Sequence, residues 1–274
     1  VLRESNMTFS TPTKYFESID STTLPEVKGE FFEEHNPFCP PLIDCWSART
    51  NLKKLFRERE SDPITHIDDL IYCSFHDLIC GTAIDKAYAP FREKLVSFQD
   101  VFPLIRQNFP NNTDEELESR IKVVAQPDAG DTYHFRQVFK VNPYEIPCSV
   151  FTNKAGDVTE VKVTVETLPN HRLLLVIDTG EKEGILVDKV PGGQLIRAKD
   201  KWHCSNGGFS YGSWIIKEFG TPQHMVDLDG KIAIVLARSV SILSWGDAGP
   251  VIPVPEALEL GEHSYKFTVK RCKS

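Results

Sequence analysis

Length, composition and charge already limit what this chain can be. It has 274 residues, of which 41% are apolar and 26% charged, a balance that suits one or two folded domains with a sizeable core. Its net charge of -8 disfavours a protein that holds nucleic acid or an anionic membrane surface by electrostatic attraction. The densest apolar runs, at 173–177 and 232–237, are far shorter than the roughly 20 residues that cross a bilayer. We therefore expect neither nucleic acid nor a membrane as a partner.

Cysteine usage bears on the compartment. The seven cysteines are an odd number without a CxxC pair, which is a poor disulfide framework for a chain of this length. A reducing compartment, and therefore the cytoplasm, is the first expectation. Asn6 and Asn111 begin N-glycosylation triplets, so a secretory, lysosomal or vacuolar location is the alternative. The chain opens at Val1 without a signal-peptide pattern, and we expect the natural N-terminus to lie upstream.

The first half of the chain is predicted to be helical after an irregular start. Residues 1–44 are rich in proline and polar side chains, and we expect a connector that packs on another part of the protein. Residues 45–126 carry apolar side chains three and four positions apart, a spacing typical of amphipathic helices. This pattern predicts a small helical bundle with helices at 46–60, 63–80, 84–98 and 114–124.

From residue 127 to the C-terminus the apolar pattern changes to period two, which is typical of β-strands. Short strands separated by turn-forming residues favour an antiparallel sandwich. The predicted fold class is therefore α+β, with a helical bundle at 45–126 followed by an antiparallel β-sandwich at 127–274. Strands are predicted around 158–165, 173–177, 185–190, 232–236 and 265–269.

A cluster of side chains that can bind metals lies on the second predicted helix. Asp69, Cys73, His76 and Cys80 are spaced i, i+4, i+7 and i+11, which places them on one helical face, with Asp77 beside them. On spacing alone, cysteine and histidine at these positions are more commonly ordinary packed side chains. A closed zinc site needs four ligands, and the chain has no second pair at ligand spacing. A local thiol-imidazole site at Cys73, His76 and Cys80 remains one hypothesis.

The residues around this cluster resemble a known family. The segment Phe75 to Ile84, FHDLICGTAI, with Tyr88 after it, resembles the corresponding segment of glycoside hydrolase family 38, the α-mannosidases. The preceding part of the chain is similar to the same family in order and spacing, with weaker similarity reaching the C-terminus. The matching residues before the segment are Phe9 to Pro12, Tyr15 and Phe16, Leu24 and Pro25, Gly29 to Phe31, His35, Arg49, and Leu52 with Lys53.

The resemblance implies a metal ligand and a substrate contact. In the family the His-Asp pair lies in a helical bundle and reaches into the active site of a preceding (β/α) barrel. His76 matches a ligand of the family's zinc ion, Zn2+, and Asp77 matches a neighbour that contacts hydroxyls of the α-mannoside substrate. The implied reaction is retaining hydrolysis, which uses one carboxylate as the nucleophile and one as the acid.

The resemblance also implies that essential parts lie outside this chain. The nucleophile, the acid and the remaining zinc ligands are expected on an upstream barrel, so no catalytic residue is assigned here. We expect the chain alone to be an incomplete, inactive portion of an α-mannosidase-like glycosidase. Its expected partners are that barrel and an α-mannoside, and a homo-oligomer is left open. The alternative is a non-catalytic descendant that binds carbohydrate or serves in assembly.

The remaining aromatic and histidine residues are interpreted as structural. Aromatic side chains in a β domain are mostly core residues. The histidines lack partners at ligand spacing in the sequence. These residues are Trp202, Tyr211, Trp214, Trp245, His134, His203, His224 and His263.

Overall fold

Alternating apolar residues and a few short amphipathic segments give this chain mainly antiparallel β-sheet with a small number of helices, in agreement with the predicted α+β class. The computed structural model describes residues 10–25, 42–60, 65–96, 112–190, 193–205, 207–217 and 223–272. Several sequence predictions, among them those for Asn6, Gly29 to Phe31, His35 and Asn111, lie outside these residues.

The helices are short and precede the sheets. Among the helices of the described ranges, none is long and apolar enough to cross a bilayer. Short 3-10 segments occur at Ser21–Thr23, Ile43–Ser47, Asp85–Ala87 and Pro255–Leu258. The α-helices are α1 (Pro12–Glu17), α2 (Thr50–Glu60), α3 (Ile67–Cys73), α4 (His76–Ile79), α5 (Tyr88–Val96) and α6 (Glu115–Ser119).

The strands form two antiparallel sheets. The six-stranded sheet has the order β2-β1-β5-β12-β11-β8, and the seven-stranded sheet has the order β3-β4-β13-β10-β9-β6-β7. The strands are β1 (Ile121–Pro127), β2 (Tyr144–Ile146), β3 (Ser149–Ala155), β4 (Val158–Thr167), β5 (His171–Asp178), β6 (Leu186–Val190), β7 (Gly193–Arg197), β8 (His203–Cys204), β9 (Gly208–Tyr211), β10 (Trp214–Lys217), β11 (Gln223–Val226), β12 (Lys231–Ser239) and β13 (Gly261–Arg271).

Period-two burial explains why these segments are strands. In β4 the side chains of Val161, Val163 and Val165 are buried, while the residues between them are less so. The same hydrophobic cluster contains Leu175 of β5 and Ile234 of β12, so both sheets contribute to one core. Each fully buried aliphatic side chain of this kind contributes about 1.5–3 kcal/mol relative to an exposed one.

The prediction of a helix through Val124 is wrong. Helix α6 ends at Ser119, and β1 begins at Ile121 inside the stretch assigned to the helical bundle. Val123 and Ala125 are fully buried, so their burial follows the period of a strand. The apolar residues 117, 121 and 124 also fit a helical spacing, and pairing with β5 decides in favour of the strand.

The single helix predicted at 63–80 is also wrong. The chain leaves the helical conformation at Phe75, whose φ is -53° and ψ is 130°, and this break separates α3 from α4. Ile67 and Ile71, which belong to the apolar spacing that predicted this helix, are 63% and 61% exposed, whereas Cys73 is fully buried. The break therefore removes the common helical face on which the metal cluster was predicted.

Helices α2 to α5 share their own hydrophobic cluster beside the six-stranded sheet. Leu52, Cys73, Leu78, Phe91 and Leu95 form its buried centre. The contact with the sheet runs through the segment before α2, where residue 48 forms a parallel bridge with residue 238 of β12. This arrangement fixes α4, which carries the His-Asp pair, relative to the β-sheets.

Candidate functional site

The His-Asp pair lies on the short helix α4 and faces solvent. The side chains of His76 and Asp77 are 78% and 49% exposed, and His76 Nε2 lies 3.6 Å from Asp77 Oδ1. The ring of Phe75 tilts against the His76 ring at a centroid distance of 4.5 Å. Imidazole nitrogen and carboxylate oxygen are both ligand types for zinc, and both are accessible to an external group here.

The backbone beneath this pair is held by the residues that follow it. The backbone N–H of Thr82 donates to the carbonyl of Asp77 at 3.1 Å. The hydroxyl of Tyr88 donates to the carbonyls of Asp77 and Leu78, both at 3.2 Å, and accepts from the N–H of Ala83 at 3.2 Å. Burial raises the pKa of Tyr88 to about 12, so its hydroxyl remains a donor at neutral pH. The carbonyls at the end of α4 therefore have fixed partners, as helix ends require.

Arg49 packs its guanidinium against the ring of Tyr88. Its guanidinium lies 4.1 Å from the centroid of the Tyr88 ring and forms an ion pair with Asp85 at 2.5 Å. The Arg49 side chain is only 1% exposed, and a buried cation of this kind needs such a partner. Arg49 and Tyr88, both part of the sequence resemblance, thus meet under the His-Asp pair.

Lys53 and Gly81 fix the end of the turn. The ammonium of Lys53 donates to the carbonyls of Cys45 at 3.2 Å and Cys80 at 3.0 Å, and also to that of Ala48. Gly81 has a φ of +89°, and a Cβ there would lie 2.8 Å from the Ala48 carbonyl oxygen. Only glycine fits this close approach without strain.

Burial of Lys53 makes stability depend on pH. Loss of hydration lowers its pKa from 10.5 to about 8. Between these values the unfolded chain binds a proton that the folded chain does not, so this residue makes the free energy of unfolding rise with pH. We expect the free energy of unfolding of the unsubstituted chain, relative to that of Lys53→Met, to increase by up to about 3 kcal/mol from pH 8 to 10.5.

Urea unfolding followed by circular dichroism across this pH range measures that difference. Lys53→Arg is the matched control, because arginine keeps the charge but does not titrate in this range. It should lose the pH-dependent contribution as Lys53→Met does. Parallel stability curves for the unsubstituted chain and both variants would contradict the expectation.

The hypothesis of a local thiol-imidazole metal site is not supported. Cys73 is fully buried and its thiol contacts the carbonyl of Phe91 at 4.0 Å, whereas His76 points to solvent. Asp69 is ion-paired with Lys94. Within the described ranges, the residues of this predicted cluster form no group whose ligand atoms converge on one point.

The thiol of Cys80 instead pairs with that of Cys45. A hydrogen bond from Cys45 lowers the pKa of Cys80 to about 7, and the same bond together with burial raises the pKa of Cys45. By contrast, burial raises the pKa of Cys73 to about 11. Nothing in the sequence indicates that Cys45 and Cys80 lie together, because the two residues are far apart along the chain.

A different group of possible metal ligands is formed by Asp131, His134 and Asp247, whose ligand atoms lie within 4.8 Å of one another. This group could hold a metal ion, although its oxygens already have donors. Asp131 Oδ1 accepts from the N–H groups of Tyr133 and His134 at 3.0 and 2.9 Å. Asp247 Oδ2 accepts from Arg136 at 2.5 Å. A bound cation would have to compete with these contacts, and sequence reasoning missed the group because Asp247 is remote in the chain.

This second group is connected to the His-Asp turn through Tyr133. The hydroxyl of Tyr133 donates to the carbonyl of Thr82 at 3.4 Å. Burial raises the pKa of Tyr133, and the negative charges of Asp77 and Asp131 add to that effect. A loop of the β part of the chain therefore lies beside the turn that carries His76 and Asp77.

The other histidines have structural partners. His224 Nε2 lies 2.7 Å from Asp188 Oδ1, with both side chains fully buried, and the pair joins β11 of the six-stranded sheet to β6 of the seven-stranded sheet. His203 and His263 contact backbone carbonyls at 2.8 and 2.6 Å. These contacts agree with the structural interpretation of the three residues.

The four aromatic residues differ in their burial. Tyr211 and Trp214 are buried in the core, as expected. Trp202 lies on the guanidinium of Arg172 at 4.3 Å. Trp245 is 49% exposed, so its assignment to the core is wrong. Its position follows from the hydrogen bond of its indole N–H to the Ala129 carbonyl at 3.2 Å, which holds the ring at the surface.

Comparison with known proteins shows which solved structures share this fold. Neither a family profile nor a curated protein matches the chain. Among solved structures, a protein in the glycosyl hydrolase family 38 from Enterococcus faecalis matches 95% of this chain with a TM-score of 0.59 at 12% identity. An alpha-mannosidase from Enterococcus faecalis V583 matches 55% of this chain with a TM-score of 0.45 at 14% identity.

Both matches cover only part of the matched proteins. The chain spans 60% of the length of the first solved structure and 25% of the second. At 12% identity, the first match shows a shared fold. The predicted resemblance to family 38 is thus confirmed at the level of the fold.

Proposed function

We propose that the chain is the portion of a zinc-dependent, retaining α-mannosidase-like glycoside hydrolase that supplies one zinc ligand, His76, and one substrate contact, Asp77. The observation that carries this proposal is an accessible His-Asp pair on a rigidly supported turn, within a fold shared with a family 38 protein. Contacts from Tyr88, Arg49 and Lys53 hold the backbone of this turn in place.

The residues present fit part of a zinc site. The exposed imidazole of His76 has a nitrogen available for a metal, and the Phe75 ring contacts the imidazole at a centroid distance of 4.5 Å. Zinc would supply a Lewis acid that anchors the sugar ring. Asp77, a carboxylate beside this ligand, is suited to accept hydrogen bonds from sugar hydroxyls. Structural zinc sites have four ligands and catalytic sites have three plus an open position, so the others must come from elsewhere.

The proposed source of the remaining groups is an upstream (β/α) catalytic barrel. Retaining hydrolysis needs two carboxyl groups about 5–5.5 Å apart, and we assign neither to this chain. The side chains of Ile67, Ile71 and Phe75 are 63%, 61% and 52% exposed on α3 and at the start of α4, which supports a contact surface beside the His-Asp pair. Ordinary surface helices bury such a stripe.

The proposed organisation follows the family. Residues 1–44 would connect to the barrel, the helices after residue 45 would form the middle bundle, and the two sheets would form a β-sandwich that begins at Ile121 rather than at residue 127. A cytoplasmic location is proposed because an odd number of cysteines without a CxxC pair is a poor disulfide framework.

Hydrolysis of a chromogenic α-mannoside tests this proposal. We define the complete protein as this chain together with the catalytic barrel. The chain alone should release no product, whereas the complete protein should hydrolyse the substrate and lose activity when a chelator removes zinc. Hydrolysis by the chain alone, or activity of the complete protein that survives zinc removal, would contradict the proposal. Mannoside binding by the complete protein without hydrolysis would favour the non-catalytic alternative.

A further inference from the structure

Two thiols that the proposed function does not use lie next to each other behind the His-Asp turn. Cys45 belongs to the 3-10 segment Ile43–Ser47, and Cys80 directly follows α4. Their side chains are hydrogen-bonded to each other. The ammonium of Lys53 also bonds to the backbone carbonyls of both residues, at 3.2 and 3.0 Å. Both backbone segments are therefore held against one cation.

This arrangement is favourable for a disulfide. A disulfide requires Cα atoms about 4.4–6.8 Å apart and side chains that point toward each other. The side-chain hydrogen bond turns the two thiols toward each other, and the shared ammonium holds their two backbone carbonyls close together. Cys45 is buried, whereas Cys80 is partly exposed, so a reagent from solvent reaches Cys80 first. The positive charge of Lys53 favours the thiolate form that reacts.

We propose that Cys45 and Cys80 form a reversible disulfide by exchange with a small-molecule disulfide such as oxidised glutathione. The sulfur of Cys80 attacks the small disulfide, which forms a mixed disulfide and releases one small thiol. The sulfur of Cys45 then displaces the second small thiol and closes the bond between the two cysteines. Both thiol protons leave on the released small thiols, and the protein pair is oxidised while the small disulfide is reduced.

The bond would connect the end of α4 to the segment before α2. At present this connection depends on Lys53 and on the close approach at Gly81. A covalent link there would hold the turn of His76 and Asp77 in place even when Lys53 loses its proton. The inference stands on the thiol pair alone and does not require the proposed hydrolase function.

Peptide mapping after oxidation tests this inference. The chain is incubated with oxidised glutathione, free thiols are blocked by alkylation, and peptides are identified by mass spectrometry. We expect a peptide in which Cys45 is linked to Cys80, lost again on treatment with dithiothreitol. Cys272, which is exposed, should carry glutathione and so report that the reagent acted. Cys73, which is buried, should be alkylated only after unfolding.

Two variants separate the roles of the pair. In Cys45→Ser, Cys80 should accumulate as a mixed disulfide with glutathione, because its resolving partner is gone. In Cys80→Ser, Cys45 should stay unmodified, because it is buried. The inference is overturned if Cys45 and Cys80 are both alkylated while Cys272 is modified, or if Cys45 is linked to Cys204. The map of the unsubstituted chain decides the matter if a variant fails to fold.

Discussion

Replacement of His76 by alanine should reduce α-mannoside hydrolysis by the complete protein at least about 100-fold, since loss of groups that only orient a metal ligand already costs 10–100-fold in metal affinity or activity. The folded structure should survive, because the His76 side chain is 78% exposed and its ring makes few contacts. The initial rate at saturating zinc, together with circular dichroism of the variant, measures the two effects separately.

His66 offers a matched control. It is also an exposed histidine beside an aspartate, with His66 Nδ1 at 3.6 Å from Asp68 Oδ2, and it precedes α3 as His76 begins α4. Because His66 lies outside the resembling segment, His66→Ala should leave the rate within about two-fold of the unsubstituted protein, as is usual for surface substitutions. Equal rates for both variants would contradict the assignment of His76.

Replacement of Arg238 by methionine should destabilise the chain by about 3–5 kcal/mol, the usual cost of removing one member of a buried ion pair. Arg238 is fully buried, and its Nε donates to Asp128 Oδ2 at 2.7 Å. Its other nitrogens donate to the carbonyls of Asp44 at 3.0 Å and His134 at 2.8 Å, and to that of Asp131. The substitution would leave the Asp128 carboxylate and three carbonyls without this donor.

Arg57→Met is the control for the loss of an arginine as such. Arg57 pairs with Glu60 at 2.7 Å on the surface of α2, where both side chains are about half exposed. Exposed pairs of this type contribute roughly 0.2–1 kcal/mol. Urea unfolding should therefore separate the two variants clearly. A cost for Arg238→Met as small as that for Arg57→Met would mean that this buried network stabilises the fold no more than an exposed ion pair does.

The strands were predictable where one pattern dominated. The segments around Val163, Leu175 and Ile234 alternate or are strongly apolar, and all three lie in strands of the core. Local patterns compete at Ile121, where helical and strand spacings coincide, and only pairing with β5 decides between them. The pairing order of the strands depends on contacts across long sequence separations, which the pattern does not contain.

The helical part shows a different limit. Apolar spacing predicted an amphipathic helix that includes Ile67 and Ile71, but both residues are more than half exposed. Periodicity identifies an apolar stripe without indicating which surface covers it, and a stripe that is exposed here is what the proposed contact with a barrel requires. The break at Phe75 had no signal either, because neither glycine nor proline marks it.

The candidate site was predicted from its residue types and not from its geometry. The FHD segment pointed to His76 and Asp77, and Tyr88 and Arg49 were among the resembling residues. Nothing in the sequence indicated that the Arg49 guanidinium stacks on the Tyr88 ring beneath the His-Asp pair. Nor did it indicate that Lys53 donates to the backbone carbonyls of both Cys45 and Cys80. These contacts join residues that are far apart in the sequence, such as Arg49 and Tyr88, which are separated by 39 positions. Only the folded chain brings them together.

The zinc content of the complete protein, with His76 present and with His76→Ala, tests the central claim most directly. Mass spectrometry of metal content after gel filtration should find about one zinc ion per unsubstituted protein, as expected for a single catalytic site. The His76→Ala variant should lose most of this zinc at the same protein concentration, and His66→Ala should keep it. Full zinc occupancy in His76→Ala would contradict the account, because His76 would then not be a ligand.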